Sequence, residues 1–289
     1  MATMSTEVRL HGSEVHVLRS DAVGDDYEIS VFPPALPVDG PVPVVYCTDA
    51  NITVGIAANN VLLLQGPAEI PPVRLVCVGY PLGDDWAQFV RLRTRDCTAT
   101  NDPVREAGES LLAGGMEVRG GGADAFLEFL TGELRPWVEA NYDVTEDSTY
   151  VGYSDGGLFG TYTLFHRPSA FRRYVIGSPM LSWNREVTTA YEAEYAKTHD
   201  NLDATVFLCA GADEEVLPPA MPDPAVRQLR GTDTAKLTRE LGESLASRGY
   251  PSLNLTTRIF PEETHFTIPA LLTAHGLRAV FSAEREGAS

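Results

Sequence analysis

Apolar and polar residues alternate along GSEVHVL and again along YEISVF, the period of strands that cover one face only. A Pro/Gly hinge, PPALPVDGP, separates this pair from VPVVYC and VRLVCVGY, two near-continuous apolar runs rich in valine. Such runs suit strands buried on both faces of a parallel sheet, so the pattern predicts a change from sheet edge to sheet centre near residue 43. From Ala123 the period lengthens. Phe126, Leu127, Phe129, Leu130, Leu134, Trp137 and Val138 recur at three and four residues, which predicts an amphipathic helix ending near Asn141. The rest continues as strand STYVGY, a helix over 156–165, strand RYVIGS, a mixed region to 199, strand ATVFLCAG, a helix over 233–248, strand LNLTTRIF and a last helix over 267–282. Strands alternating with helices imply right-handed crossovers and an α/β fold, with a mostly parallel central sheet and helices on both faces.

Two segments break the alternation. Residues 81–122 hold few periodic apolar positions, the arginines of RLRTRDC and the glycine cluster GGMEVRGGG, and residues 212–232 are rich in proline. No composition break marks a linker and no repeat is visible, so the chain reads as a single domain over 1–289. Within it, 81–122 is a loop or lid insertion, read as the wall of a binding site in preference to plain disorder.

The 289 residues are 44% hydrophobic and 21% charged, enough to bury a large core. Asp and Glu number 40 against 22 Lys and Arg, a formal charge of −18. That excess repels phosphate backbones and anionic lipid headgroups, which argues against nucleic acid and membrane surfaces as partners. No apolar stretch approaches the roughly 18 residues of a membrane span, and MATMSTEVRLHGSEV lacks the apolar core of a signal peptide, so a cytoplasmic, soluble protein is expected. Cys47, Cys77, Cys97 and Cys209 have no metal-type spacing, and three of them sit in apolar runs, where reduced thiols act as small hydrophobes.

The candidate chemistry lies at Gly152-Tyr153-Ser154-Asp155-Gly156, a G-x-S-x-G between a predicted strand and a predicted helix. The motif needs that context: the serine occupies a strained strand-to-helix turn, and small neighbours leave room for it. A serine hydroxyl is a weak nucleophile until a base takes its proton, and the base needs a third group to hold its tautomer. Both kinds of partner follow in order. Asp213, Glu214 and Glu215 come after strand ATVFLCAG, and His265 comes after strand LNLTTRIF. The other histidines fit less well: His11 and His16 precede the sheet centre, His166 and His199 precede the acids, and His275 lies inside the last helix. No H-E-x-x-H, phosphate-loop or dinucleotide motif is present, so no metal or organic cofactor is expected.

RDCTAT, FLEFLTGELRPWVEANY, VGYSDGGLFGTYTLFHRPSAFRRYVIGSP, the turn GADEEV and PEETHF occur in this order. Through them the chain from about Val42 to Leu272 resembles the putative-esterase branch of the α/β-hydrolase fold, which includes ferric-siderophore esterases, esterase D, feruloyl esterases and mycolyltransferases. The siderophore-esterase type is the most similar. The resemblance implies Ser154 as nucleophile and His265 as general base. A G-x-x-[DE] turn at Gly211-Ala212-Asp213-Glu214 implies Glu214 as the acid, with Asp213 as the alternative. It also implies an oxyanion hole made by the backbone N–H of Asp155 and one from the turn after VVYC. That turn is usually Leu-Asp-Gly; here it is Thr48-Asp49-Ala50-Asn51, so Ala50 and Asn51 are both candidates. The implied activity is hydrolysis of a small-molecule carboxylic ester, of siderophore trilactone type, through an acyl-enzyme. An α-amino-acyl or feruloyl esterase, or an acyltransferase with the same triad, are alternatives, and a non-catalytic binding protein comes last. Oligomeric state is left open.

Departures from the pattern bear on the substrate. Asp155 sets a carboxylate beside the developing oxyanion; it either turns away to bond backbone or an arginine, or faces the pocket and recognises a cationic group such as an α-amine. The family's aspartate-threonine-proline element appears as Asp96-Cys97-Thr98-Ala99, without the proline. Arg91, Arg93 and Arg95 alternate as in a strand or extended loop; they line a pocket for an anionic group, Arg93 foremost, or simply pair with carboxylates. Of the tryptophans, Trp137 reads as core, whereas Trp86 and Trp183 are candidates to stack on an acyl group.

Overall fold

The computed structural model describes residue 10 and residues 12–216 and 233–282; most of the proline-rich segment therefore lies outside the described residues. Its strands are β1 (Glu14–Arg19), β2 (Asp26–Phe32), β3 (Val42–Cys47), β4 (Arg74–Gly79), β5 (Val144–Tyr153), β6 (Arg173–Gly177), β7 (Ala204–Gly211) and β8 (Leu253–Phe260). They form one sheet in the order β1-β2-β4-β3-β5-β6-β7-β8. The β1/β2 and β2/β4 pairs are antiparallel and the rest are parallel. The two alternating sequences thus lie at one edge, and the apolar runs lie inside.

Helices α1 (Ala50–Gln65), α2 (Trp86–Cys97), α3 (Pro103–Leu112), α4 (Ala123–Glu128), α5 (Arg135–Asn141), α6 (Asp155–His166), α7 (Arg185–Thr188), α8 (Tyr191–Ala196), α9 (Thr234–Arg248) and α10 (Ile268–Val280) connect the strands. Because side chains alternate across a strand, the core has two layers. Tyr46, Val206 and Leu208 join Phe89 of α2, Phe126 of α4 and Phe159 of α6 on one face. Val45, Phe207 and Cys209 join Ala57 and Val61 of α1 and Leu272 and Leu277 of α10 on the other. All four cysteines are buried and unpaired. Among the described residues, no helix is long and apolar enough to cross a membrane.

Three expectations are corrected. Helix α1 was absent from the sequence pattern: its buried positions Ala50, Thr53, Ala57 and Val61 have helical spacing, but Ile52, Ile56, Leu62 and Leu63 are exposed around it and erase the apolar stripe. The segment 81–122 is not a structureless loop, since it contains α2 and α3. Asp85 caps α2 by accepting the Gln88 N–H at 3.0 Å, and Asp102 caps α3, whose first residue is Pro103. Arg91, Arg93 and Arg95 are therefore helical, not extended. Finally, the predicted helix ending at Asn141 is interrupted by a wider π-helical turn, Phe129–Leu134.

Asp96 ties α2 to the sheet. Fully buried, it accepts the hydroxyls of Tyr27 (2.6 Å) and Tyr80 (3.0 Å) on one oxygen and pairs with Arg95 Nε (2.7 Å) through the other. Burial raises its pKa against the pull of Arg95 and the two tyrosines. Asp96→Ala strands two buried tyrosine hydroxyls and takes one carboxylate from the part-buried Arg95, and is expected to lower the unfolding free energy by roughly 3 kcal/mol. A urea midpoint equal to that of the wild type contradicts this account.

Candidate active site

β5 enters the site at Tyr153 and α6 leaves it at Asp155. Between them Ser154 adopts φ 61°, ψ −114°, a conformation L-residues avoid. The surroundings impose it: Ser154 N–H donates to Gly177 O (2.9 Å), while its carbonyl accepts from Leu158 N (2.9 Å) and Met180 N (3.1 Å). The flanking glycines follow from close approach. A Cβ on Gly152 would sit 2.3 Å from Gly156 O, and one on Gly156 would sit 2.6 Å from Thr48 Oγ1. Gly152→Ala must push backbone against backbone, so a loss of about 3 kcal/mol of stability is expected, with esterase activity lost alongside. Wild-type melting and activity in that variant would show that the turn has slack.

His265 lies in the loop after β8. Tyr153 anchors it, donating its hydroxyl to His265 O (2.5 Å) with the two rings 4.8 Å apart. His265 Nε2 is 3.0 Å from Ser154 Oγ, and Nδ1 is 2.6 Å from Glu214 Oε2. Glu214 is buried in the turn after β7, and its Oε1 accepts from Ser178 Oγ (2.5 Å) and Gly211 N (2.9 Å). Asp213 instead donates its backbone N–H to Glu263 O (2.9 Å). Glu214, not Asp213, is the acid that reaches His265. A carboxylate so held fixes the proton of neutral imidazole on Nδ1 and leaves Nε2 free to accept from the serine.

Two helix starts converge on Ser154. Asp155 is the first residue of α6, and Asp49, left-handed at φ 62°, precedes α1. The N–H groups of Ile52 and Thr53 donate to Asp49 O, so the first-turn amides of α1 without an intrahelical acceptor are those of Ala50 and Asn51. Only the backbone of Asn51 is on offer. Its side chain is engaged with the residue that follows β4, donating to Tyr80 O (2.8 Å) and accepting from Tyr80 N (2.9 Å).

Arg93 spans the gap between these helix starts. Its Nε and Nη2 donate to the two oxygens of Asp49 (2.7 and 3.0 Å), Nη1 donates to Asp155 Oδ2 (2.7 Å), and Nη2 also donates to Tyr153 O (3.0 Å). Burial works against the Arg93 cation, but Asp49 and Asp155 outweigh it and hold its pKa well above the ordinary guanidinium value. Of the two readings of Asp155, the structure realises the pairing with an arginine.

A cavity of about 330 Å³ opens over Ser154 and His265. Ile52 and Ile56 of α1, Trp86, Phe89 and Val90 of α2, and Phe266 form most of its apolar wall. Trp86 is half exposed, its ring 5.2 Å from that of Phe89. Arg93 and Asp155 also border the cavity. Trp183 does not, contrary to the sequence expectation: it is 2% exposed and its Nε1 donates to Thr100 O (2.8 Å), which fastens the chain after β6 to the segment between α2 and α3. The expectation rested on its position after GSPM, which places the backbone near Ser154 but not the ring. Sequence reasoning missed Asp49, Ser178 and Phe266. The last was signalled only by adjacency to His265.

The sequence profile of the family described as putative esterase matches residues 20–252. The ferri-bacillibactin esterase BesA of Bacillus subtilis is 27% identical over 282 residues, covering 95% of this chain and 91% of that protein. The siderophore triacetylfusarinine C esterase of Aspergillus fumigatus is 31% identical over 193 residues, covering 64% of this chain and 61% of that protein. Among solved structures, the BES protein from Bacillus cereus superposes with a TM-score of 0.78 at 23% identity, covering 97% of this chain and 98% of that one. The siderophore hydrolase EstB from Aspergillus nidulans gives 0.77 at 23% identity, covering 96% and 98%. These structures share the fold.

Proposed function

Because this chain belongs to the Esterase family and so is a carboxylic ester hydrolase, we propose that it cleaves a small siderophore-type ester through Ser154, His265 and Glu214. The observation that carries this reading is the unbroken chain of short contacts from Ser154 Oγ to His265 to Glu214 at the floor of an apolar cavity. His265 Nε2 takes the hydroxyl proton as Oγ attacks the ester carbonyl, and Glu214 stabilises the imidazolium that forms. The tetrahedral oxyanion falls between the Asp155 N–H and a first-turn N–H of α1, from Ala50 or Asn51. His265 then protonates the departing alcohol, and water, activated by the same nitrogen, releases the acid and regenerates Ser154.

The siderophore class rests on the relatives that are named for it, bacillibactin and triacetylfusarinine C esterases. A catecholate or other bulky acyl group fits the wall of Trp86, Phe89 and Phe266 better than a short acyl chain does, since aromatic faces gain from stacking. An α-amino-acyl preference needs a carboxylate ready for an ammonium, and Arg93 already answers Asp155. With a charge of −18 and buried unpaired cysteines, we place this reaction on a small molecule in the reducing cytoplasm. The test is kcat/KM across a macrocyclic trilactone, feruloyl, amino-acyl and p-nitrophenyl acetyl esters. The trilactone is expected to lead, and a preference for any of the others by tenfold overturns the substrate assignment.

A further inference from the structure

The two segments that would supply the oxyanion hole come from different parts of the chain: the turn after β3, which opens α1, and the turn after β5, which opens α6. Their strands are paired as far as Cys47 and Val151. Past that point the turn before α1 and the first turn of α6 stay close, a Cβ on Gly156 falling 2.6 Å from Thr48 Oγ1 and 3.0 Å from Asp49 Oδ2, and α2 brings a guanidinium that bonds to both. We infer that Arg93 is a positioning residue that fixes these two segments in register for the oxyanion, and that it does not bind substrate. The inference rests on the reading of Ser154 as nucleophile.

The contacts divide evenly between the two sides. On the α1 side Arg93 grips both oxygens of Asp49, the residue whose left-handed backbone sets the direction of the Ala50 amide. Asp49 is followed by Ala50, which is already the first residue of α1 and buried, so no glycine loosens the start of the helix. On the elbow side Arg93 holds the carbonyl of Tyr153 and the carboxylate of Asp155, which bracket Ser154. Four donated bonds to three residues leave the planar fork little freedom, and a bidentate grip transmits orientation as a point charge cannot. Its charge is also spent, because two carboxylates face one cation. An anionic substrate group finds no net attraction there, and an ammonium finds Asp155 already matched. What remains is geometry. Oxyanion donors act on charge that develops only in the transition state, so slack in either segment lowers kcat and leaves ground-state binding in the apolar cavity intact.

The discriminating variant is Arg93→Lys, which keeps the positive charge and loses the fork. On a p-nitrophenyl ester its kcat is expected to fall on the order of 10²-fold, with KM within about threefold of wild type. Phosphonylation by a fluorophosphonate should slow in parallel, with the label still on Ser154. Retention of kcat, or a loss carried by KM alone, overturns the inference; the latter would make Arg93 a substrate contact. Should Arg93→Lys fail to fold, Asp155→Asn weakens the clamp from the elbow side and is expected to lower kcat on the order of 10-fold at unchanged KM, and unchanged kcat overturns the inference. Label mapping away from Ser154 in the wild type instead overturns the nucleophile assignment, a separate result.

Discussion

Ser154→Ala is expected to lower kcat by a factor on the order of 10⁴ or more while the protein melts as the wild type does. The size follows from the loss of the covalent route: without Oγ, what is left is a cavity and a pair of amide donors acting on water. Folding should survive because the strain at position 154 is held by backbone bonds to Gly177, Leu158 and Met180, none of which involves the hydroxyl. Ala tolerates φ 61° no worse than Ser. The intact mass after fluorophosphonate treatment supplies the second readout, with one adduct on the wild type and none on the variant. Near-wild-type turnover in Ser154→Ala, or an adduct that persists, removes Ser154 from the mechanism. His265→Gln should lose about as much, because the triad acts as a unit.

How far the site could be read from sequence depended on whether each residue's role is local. The elbow is local: Gly152, Ser154 and Gly156 are close in the chain, and their crowding is set by one turn. The partners proposed as acid and base could be picked out by chain order, because each follows a strand with a clear apolar run, and the structure brings both to Ser154. The choice of Glu214 over Asp213 came only from a family resemblance. The structural reason is that Oε1 accepts from the Gly211 amide at the end of its own strand and also from Ser178, which follows a different strand and which no local pattern displays. Trp183 failed for the complementary reason. Its indole is buried against the segment between α2 and α3, where it donates to the Thr100 carbonyl and does not line the cavity.

The fold shows the same division. Strands of the sheet interior announce themselves because both their faces are covered, while the alternating pair is the edge strand β1 and its neighbour β2. Helices that build the cavity were hidden. α1 carries Ile52 and Ile56 on the side that lines the cavity, so its apolar residues point two ways and cancel the period. α2 carries three arginines, two of which are committed to Asp49, Asp155, Asp96 and Asp25, and such residues look like surface until their partners are known. Buried ion pairs are set by tertiary contacts, whereas local pattern reports only solvent-facing charge.

Glu214→Gln is expected to lower kcat on the order of 10⁴-fold, whereas Asp213→Asn should stay within about threefold of wild type. The argument turns on which way the amide must lie. In the native site Oε1 accepts two hydrogen bonds, from Ser178 Oγ and Gly211 N, so the glutamine must keep its carbonyl oxygen there. Its NH₂ then takes the place of Oε2, 2.6 Å from His265 Nδ1, and can only donate. A donor at that position demands an unprotonated Nδ1, which forces the imidazole proton onto Nε2. Nε2 would then face Ser154 Oγ as a donor and could not take its proton. The shape is preserved and the tautomer is reversed, so the loss should appear in kcat with KM and melting temperature little changed. The bonds described for Asp213 are backbone ones, its N–H to Glu263 O and its carbonyl from Val216 N, and asparagine retains both. The checking measurement is steady-state kinetics of the two variants side by side. If Asp213→Asn is the more damaged of the pair, the acid has been assigned to the wrong residue.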